Sequence, residues 1–409
     1  MSSTSMSSLF RNRFVQAILL AGLFLQIGIW VRNFSVLLYV VEMTNEDAFA
    51  VSMVSVAEFA PIFIFSFIGG TFADRWRPKR TMIWCDILSS ASVFAVLLTL
   101  IFGSWKAVFF ATLFSAILSQ FSQPSGLKLF KMHVPAEQIQ AGMSIYQTIF
   151  AVFMVLGPVL GTFVYQSFGI QVAIAITGFA FLMSAAALLI LPPDRDTNEE
   201  KTTQSTLFQE MADGIRYVLS KKVLTLLGVC FFAAGLAIGL IQPLGVFLVT
   251  ERLGLEKEYL QWLMMANGIG MMLGGGLAMA FAKSVAPQKM LAFGMFVDAI
   301  VMAVSGISTT PWITLTVQFF GGLVLPCIQI GINTMILQNT EEQYIGRVNG
   351  ILSPLFTGAM VVTMSMAGLL KNSFSLVTMY EAAGFLFIFG LLFILPLYRL
   401  PAIVKESGT

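Results

Sequence analysis

Histidine, charge and nucleotide-binding motifs are scarce in this chain of 409 residues. Its one histidine is His133, so the sequence can build neither a histidine metal cluster nor a Ser-His-Asp triad. No Gly-Lys pair occurs, which excludes the phosphate-binding loop of an ATPase. Cys85, Cys230 and Cys327 lie far apart in apolar runs, with neither metal spacing nor a disulfide framework. We predict a protein that is not an enzyme and needs no cofactor or metal.

Charged residues make up 11% of the sequence and hydrophobic residues 57%, whereas a soluble domain is roughly a quarter charged. The apolar residues form twelve runs, six on each side of a polar stretch at 193–222. An apolar run of about 18 or more residues is typical of a membrane-spanning helix. The predicted spans are 14–40, 48–72, 81–102, 107–129, 141–165, 170–191, 223–249, 259–281, 290–307, 312–337, 348–370 and 374–397.

These runs predict an all-α integral membrane protein with twelve transmembrane helices in two six-helix halves. The first half is residues 1–192. Residues 193–222 form a cytoplasmic connector, and residues 223–409 form the second half with a short cytoplasmic tail. Apolar residues recur at helical spacing from Leu207 to Leu219 in the connector, which predicts a short amphipathic helix on the cytoplasmic face.

Basic residues set the expected orientation. Of the 23 Lys and Arg residues, only Lys106, Arg252, Lys257 and Lys371 fall in segments that lie outside when the N-terminus is inside. Such a split follows the positive-inside tendency. We predict a multi-pass protein of the cell membrane with both termini in the cytoplasm. The basic residues are explained by topology, so nucleic-acid binding has no support.

The two halves resemble each other. Pro124 in the fourth run is followed by the loop 135–138, and Pro326 in the tenth run by the acidic loop 340–343, about 200 residues later. Internal repeats of this kind are typical of transporters whose substrate site lies between two halves near the bilayer midplane.

A glycine-acid-base motif lies between the second and third runs. It reads Gly-x-x-x-Asp-Arg followed by a basic cluster, and it resembles the signature loop of the major facilitator superfamily. The residues concerned are Gly70, Asp74, Arg75, Arg77, Lys79 and Arg80. The glycine usual two residues after Asp-Arg is Arg77 here. The resemblance implies that Asp74 meets the start of the eleventh span, near Arg347.

A second motif, Gly157-Pro158-Val159-Leu160-Gly161 in the fifth run, looks like the glycine-proline element of antiporters in this superfamily. Proline kinks a helix and the glycines permit close packing, so this helix is expected to act as a seal. An ordinary bundle kink is the alternative.

Within the superfamily the chain looks most like macrolide-efflux and enterobactin-exporter proteins, which are drug:proton antiporters. That resemblance is carried by the stretch 48–80, with Phe-Ala-Pro at 59–61, and by Gln123-Pro124.

Charges at bilayer depth are candidates for function, because each costs at least about 2.5–3.5 kcal/mol. Arg32 and Glu58 have matching depths in consecutive spans and are proposed as a pair facing a central cavity, with a purely structural ion pair as the alternative. Asp298 is a further candidate for binding substrate or protons. Asp86 and Arg347 are assigned to a cytoplasmic gate.

Uncharged polar residues within the spans complete the candidate cavity. The candidates are Gln26, Asn33, Gln120, Gln123 and Gln147. The fourth span lacks the arginine that many drug–proton antiporters of the superfamily carry, and Gln120 and Gln123 occupy that stretch. This departure puts the standard proton relay in doubt.

We predict a secondary active transporter that works by alternating access as a monomer among membrane lipids. It would export small amphipathic drugs, macrolide-like, or siderophore-like metabolites in exchange for protons. The alternatives are an importer or uniporter of a small metabolite, and a lysolipid flippase.

Overall fold

The computed structural model describes residues 13–101, 106–133, 136–191, 207–281 and 284–399. Every regular element in these ranges is helical. We label the long helices α1 (Arg13–Met43), α2 (Ala48–Arg75), α3 (Pro78–Ile101), α4 (Lys106–His133), α5 (Ala136–Leu189), α6 (Leu207–Ser220), α7 (Lys222–Ile241), α8 (Leu260–Phe281), α9 (Pro287–Ile307), α10 (Pro311–Asn339), α11 (Ile345–Ser373) and α12 (Leu376–Ile394).

These helices provide twelve membrane crossings. Ten helices in the described ranges are long and apolar enough to cross a bilayer. One of them, Gly142–Leu189, is 48 residues long, which is enough for two crossings at about 20 residues each. The apolar segment Lys106–Ser122 of α4 is the remaining crossing. The predicted all-helical, twelve-span fold is therefore confirmed.

Two connections are tighter than the sequence suggested. Helix α5 carries both the fifth and sixth spans and turns at Gly169, where φ is 75° and ψ is 177°. That conformation strains any residue with a Cβ atom. Helix α2 continues to Arg75 and α3 begins at Pro78, so only Trp76 and Arg77 connect them. Most of the predicted signature loop is thus helical, and Pro78 takes the first helical position, where its missing N–H is harmless.

The seventh span changes its helical type near its end. After α7 the chain forms a 3₁₀ turn at Gln242–Leu244 and a π turn at Leu248–Arg252, and the whole stretch Lys222–Arg252 is one apolar crossing. Pro243 lacks the N–H that would continue the regular α-helical ladder, which explains the change at this point.

The chain divides into two compact units, Met1–Asn198 and Glu199–Thr409. In the first unit α1 packs against α5, α2 against α4, and α3 against α4 and α5. In the second unit α7 packs against α11 and α12, α8 against α10, and α9 against α10 and α12. Because α5 holds the fifth and sixth spans, each pairing in the second unit repeats one in the first, six spans later. The units are pseudo-symmetric.

Candidate functional site

A polar cluster joins three helices of the first unit. On α1, Arg32 donates from Nη1 to Ser115 Oγ of α4 at 2.6 Å, and from Nε and Nη2 to Asn33 Oδ1 at 3.0 and 2.8 Å. Asn33 Nδ2 then donates to Glu58 Oε1 of α2 at 2.5 Å. The side chains form one chain of hydrogen bonds, from Ser115 through Arg32 and Asn33 to Glu58.

The cluster lies deep within the crossings. Arg32 is eleven residues from the end of α1 at Met43, about 16 Å at about 1.5 Å per residue. Glu58 is ten residues from the start of α2 at Ala48, about 15 Å along its axis. Both depths are close to the middle of a hydrocarbon core about 30 Å thick. Arg32 is buried, whereas Glu58 is half-buried and thus accessible.

Arg32 and Glu58 are not in direct contact, which corrects the predicted pair. The amide of Asn33 stands between them: its carbonyl oxygen accepts from the guanidinium and its NH₂ group donates to the carboxylate. Among the described residues, Oε2 of Glu58 makes no hydrogen bond. As far as the described residues go, one oxygen of the carboxylate is open to a proton or a ligand.

The glycine-proline element of α5 holds this part of α1 in place. A Cβ atom at Gly157 would lie 2.3 Å from Cδ2 of Trp30, and one at Gly161 would lie 2.6 Å from Cβ of Phe34. Trp30 and Phe34 stack with ring centroids 6.0 Å apart. Trp30 and Phe34 lie two residues before and after Arg32, on the opposite face of α1, so the two glycines fix the position of the helix that carries the cation.

A second buried acid, Asp86 of α3, lies apart from this cluster. Ser184 of α5 donates to its Oδ2 at 2.6 Å. The carboxylate lines a cavity of about 50 Å³ within the first unit. The other lining residues are Ile18, Ala21, Gly22, Leu25, Met82, Ser122, Gly126, Met143, Tyr146 and Ser184. Within the described residues, Asp86 has Ser184 as its hydrogen-bond partner and does not pair with the basic loop.

Arg347, the other predicted gate residue, belongs to a cluster of polar side chains in the second unit. Its Nη1 lies 4.0 Å from Asp213 Oδ2 of α6. Its guanidinium also lies 5.3 Å from the ring centroid of Tyr344. Arg347 therefore connects the start of α11 to helix α6.

The other predicted residues vary in their surroundings. Asp298 of α9 is buried and has no hydrogen-bond or ion-pair partner in the described part of the chain. Gln26 is half-buried and Gln147 is exposed. Gln120 donates to the Ala116 carbonyl of its own helix at 3.4 Å.

The structure describes the side chains of part of the predicted signature loop. Lys79 donates to the backbone carbonyls of Leu189 and Leu191 at the end of α5, where a cation is favoured by the helix dipole. Arg77 and Arg80 are exposed. The side chains of Asp74, Arg75 and Gln123, and the surroundings of Gly70, lie outside the described part of the structure.

Sequence reasoning missed three side chains that complete these sites. Ser115, Ser184 and Trp30 sit in apolar runs, where a single serine or tryptophan gives no pattern. A buried serine in a span does need a hydrogen-bond partner, but the sequence does not say which helix supplies it.

An all-helical protein with two pseudo-symmetric six-span units and charged groups at bilayer depth has the architecture of a membrane transporter. The model of the Major Facilitator Superfamily matches residues 18–255, which is more than half of the chain. The chain belongs to the major facilitator superfamily. It is a multi-pass membrane transporter of small substrates and not an enzyme, which confirms the superfamily prediction.

Relatives cover most of the chain at low identity. The chain is 24% identical to the uncharacterized MFS-type transporter YkuC of Bacillus subtilis over 90% of this chain and 87% of that protein. It is 28% identical to the multidrug efflux pump Tap of Mycolicibacterium fortuitum over 80% of this chain and 82% of the pump. Among solved structures, a variant of the nucleoside transporter NupG superposes with a TM-score of 0.75 at 11% identity, covering 95% and 100% of the two chains. That likeness concerns the fold alone.

Proposed function

We propose that this protein exports small amphipathic compounds, macrolide-like or siderophore-like, in exchange for protons, and that Glu58 is the coupling carboxylate. The observation that carries the proposal is the arrangement around Glu58. One oxygen is held by Asn33 and the other makes no hydrogen bond among the described residues. The buried Arg32 supplies a positive charge nearby without neutralising Glu58 by direct contact.

This arrangement suits a group that alternates between protonated and ionised states. A carboxylate bound directly by a guanidinium would be locked in its ionised form. A carboxylate with no cation nearby would carry the full cost of burial in the membrane. The Asn33 bridge gives Glu58 an intermediate environment. Efflux as the direction of transport is supported by the names of relatives such as the pump Tap.

Glu58→Gln tests the coupling role. Glutamine keeps an oxygen that can accept from Asn33, so the variant is expected to fold while losing the titrating group. In proteoliposomes, wild type should accumulate radiolabelled erythromycin when a pH gradient is imposed, and Glu58→Gln should fall to background. Exchange of erythromycin without a gradient should persist in the variant, because it needs binding and alternating access but no net proton movement.

Glu256→Gln is the matched control, because Glu256 is exposed in a connecting segment of the second unit and should retain gradient-driven accumulation. If Glu58→Gln accumulates erythromycin as wild type does, with the same pH dependence, Glu58 is not the coupling group. Movement of fluorescent lysolipid with no macrolide transport would identify a flippase instead. The predicted cytoplasmic position of both termini is checked by labelling a cysteine placed at Ser205, which should react only from the inside.

A further inference from the structure

Helix α6 has one face that is covered by the protein. Gly214 and Val218 are buried, and a Cβ atom at Gly214 would lie 3.2 Å from Ile351 and 3.3 Å from Arg347, both of α11. Thr225 of α7 donates to the carbonyl of Val218 at 2.9 Å. This face is packed against the first turns of two membrane-spanning helices, α7 and α11.

Aromatic and charged contacts fix this packing. Tyr217 stacks on Tyr344 with ring centroids 4.0 Å apart and planes 7° apart. The backbone N–H of Glu341 donates to the hydroxyl of Tyr217 at 3.1 Å. Asp213 pairs with Arg347 at 4.0 Å. Asp213 of α6 is therefore paired with Arg347 of the protein itself.

A second face of α6 carries an apolar stripe that is exposed in the described part of the structure. Met211, Ile215 and Leu219 are four residues apart and fall within about 80° around the helix axis. Their exposed fractions are 37%, 44% and 66%. Leu219 is three residues before Lys222, where the membrane-spanning α7 begins. The stripe therefore ends at the boundary of the bilayer.

Cations border this stripe. Arg216, next to Ile215, is exposed, and so are Lys221 and Lys222 at the end of the helix. Lys221 lies 3.9 Å from Glu341, which compensates part of its charge. An apolar stripe with basic residues beside it is typical of a helix that lies in the interface of an anionic membrane leaflet.

We propose that α6 is an interfacial lipid-binding helix: the stripe of Met211, Ile215 and Leu219 inserts at the acyl boundary of the adjacent leaflet, and Arg216 and Lys222 bind anionic headgroups. The opposite face holds the start of α11 through Tyr217 and Asp213. A change in the lipids beneath α6 would then act directly on one spanning helix of the second unit. The proposal does not depend on the substrate or on proton coupling.

Fluorescence quenching by lipids tests the orientation of α6. Single cysteines are placed at Ile215 or at Ser220 in a full-length background where Cys85, Cys230 and Cys327 are alanine, and are labelled with an environment-sensitive NBD dye. Ser220 is exposed and lies about 140° from Ile215 around the axis. In vesicles containing phosphatidylglycerol and spin-labelled lipid, the label at 215 should be strongly quenched and the label at 220 weakly.

Equal quenching at the two positions, or stronger quenching at 220, would overturn the proposal. A label at 215 that is shielded from both water-soluble and lipid quenchers would show that protein covers the stripe, and would overturn it as well.

A second measurement uses unlabelled protein that keeps its native cysteines. Phosphatidylglycerol titrated into purified full-length protein in mixed micelles should raise its melting temperature, whereas phosphatidylcholine should not. Arg216→Gln should raise the phosphatidylglycerol concentration needed for half of the rise in melting temperature about fivefold, because one basic residue near an anionic surface is worth about 1 kcal/mol of binding free energy. Lys257→Gln, on a connecting segment of the predicted opposite side, is the control. An unchanged response in Arg216→Gln would contradict a headgroup contact at this residue.

Discussion

The two units pair their helices in the same order, but the atoms that pack against their glycines differ. In the first unit glycines accept aromatic rings: a Cβ atom at Gly157 would lie 2.3 Å from the ring of Trp30. In the second unit most of the tightly packed glycines meet backbone: a Cβ atom at Gly322 of α10 would lie 1.9 Å from the carbonyl oxygen of Asn267 on α8. A ring can turn about its side-chain bonds, whereas a helical carbonyl is fixed. Substitution of a tightly packed glycine should therefore destabilise the second unit more than the first.

Buried charged groups differ between the units in whether they have partners. In the first unit Arg32 and Asp86 both have side-chain partners on other helices. In the second, Asp298 is buried on α9 without a hydrogen-bond or ion-pair partner among the described residues. The same set of helix pairs thus supports a bonded charge network in one unit and tight backbone packing in the other. The chemistry of coupling is expected in the first unit.

The largest expected effect comes from breaking the backbone packing of the second unit. Gly322→Ala forces a methyl group against a fixed carbonyl, and overpacking already costs about 1–3 kcal/mol where side chains can yield. We expect little folded Gly322→Ala protein when thermostability is measured by size-exclusion chromatography. Gly157→Ala should lower the melting temperature but still fold, because Trp30 can shift.

Gly275→Ala is the control, since no atom lies within 4 Å of a Cβ atom there, and it should melt as wild type does. The comparison of the units fails if Gly157→Ala is the more damaging of the two tight substitutions.

The next effect comes from separating the charges of the first unit. Arg32→Gln leaves Glu58 in the membrane without its nearby cation and removes the charged donor to Asn33 and Ser115, and a hydrogen bond to a charged group is worth about 1.5–3 kcal/mol. The double variant Arg32→Gln with Glu58→Gln should recover part of that loss, because no uncompensated charge remains. Thermal unfolding of the two single variants and the double variant measures the coupling.

Arg216→Gln removes an exposed arginine and should leave the melting temperature in detergent unchanged. If the double variant is as unstable as the sum of the singles, the bridge through Asn33 does not couple the two charges.

The positions of the spans could be predicted from the sequence because hydrocarbon demands long apolar helices. The predicted span 290–307 and the helix Pro287–Ile307 share their last residue. Errors arose where a polar connection is itself helical. Asp74 and Arg75 read as loop because they are charged, yet they form the last turn of α2. A hydropathy pattern detects the lipid boundary and not the end of a helix.

The candidate site was predictable only at the level of its charges. The depths of Arg32 and Glu58 follow from counting residues along two helices, and both do join one cluster. The bridge by Asn33 and the contact with Ser115 depend on the rotation of each helix about its axis. That rotation is set by packing between helices, such as Gly157 against Trp30, and leaves no trace in composition or spacing.

The smallest expected effect sharpens the contrast between buried serines of the two units. Ser184→Ala leaves the Asp86 carboxylate without its donor, which costs about 1–3 kcal/mol for a buried acceptor, so the melting temperature should fall. Ser305→Ala removes a buried hydroxyl that has no partner in the described residues, so it should leave the melting temperature unchanged or raise it. Both serines lie within spans and lose the same single atom, hence a difference in melting temperature between the two variants reports the hydrogen bond rather than the cavity. Equal losses in the two variants would mean that Asp86 is satisfied in another way, for instance by water in the adjoining cavity.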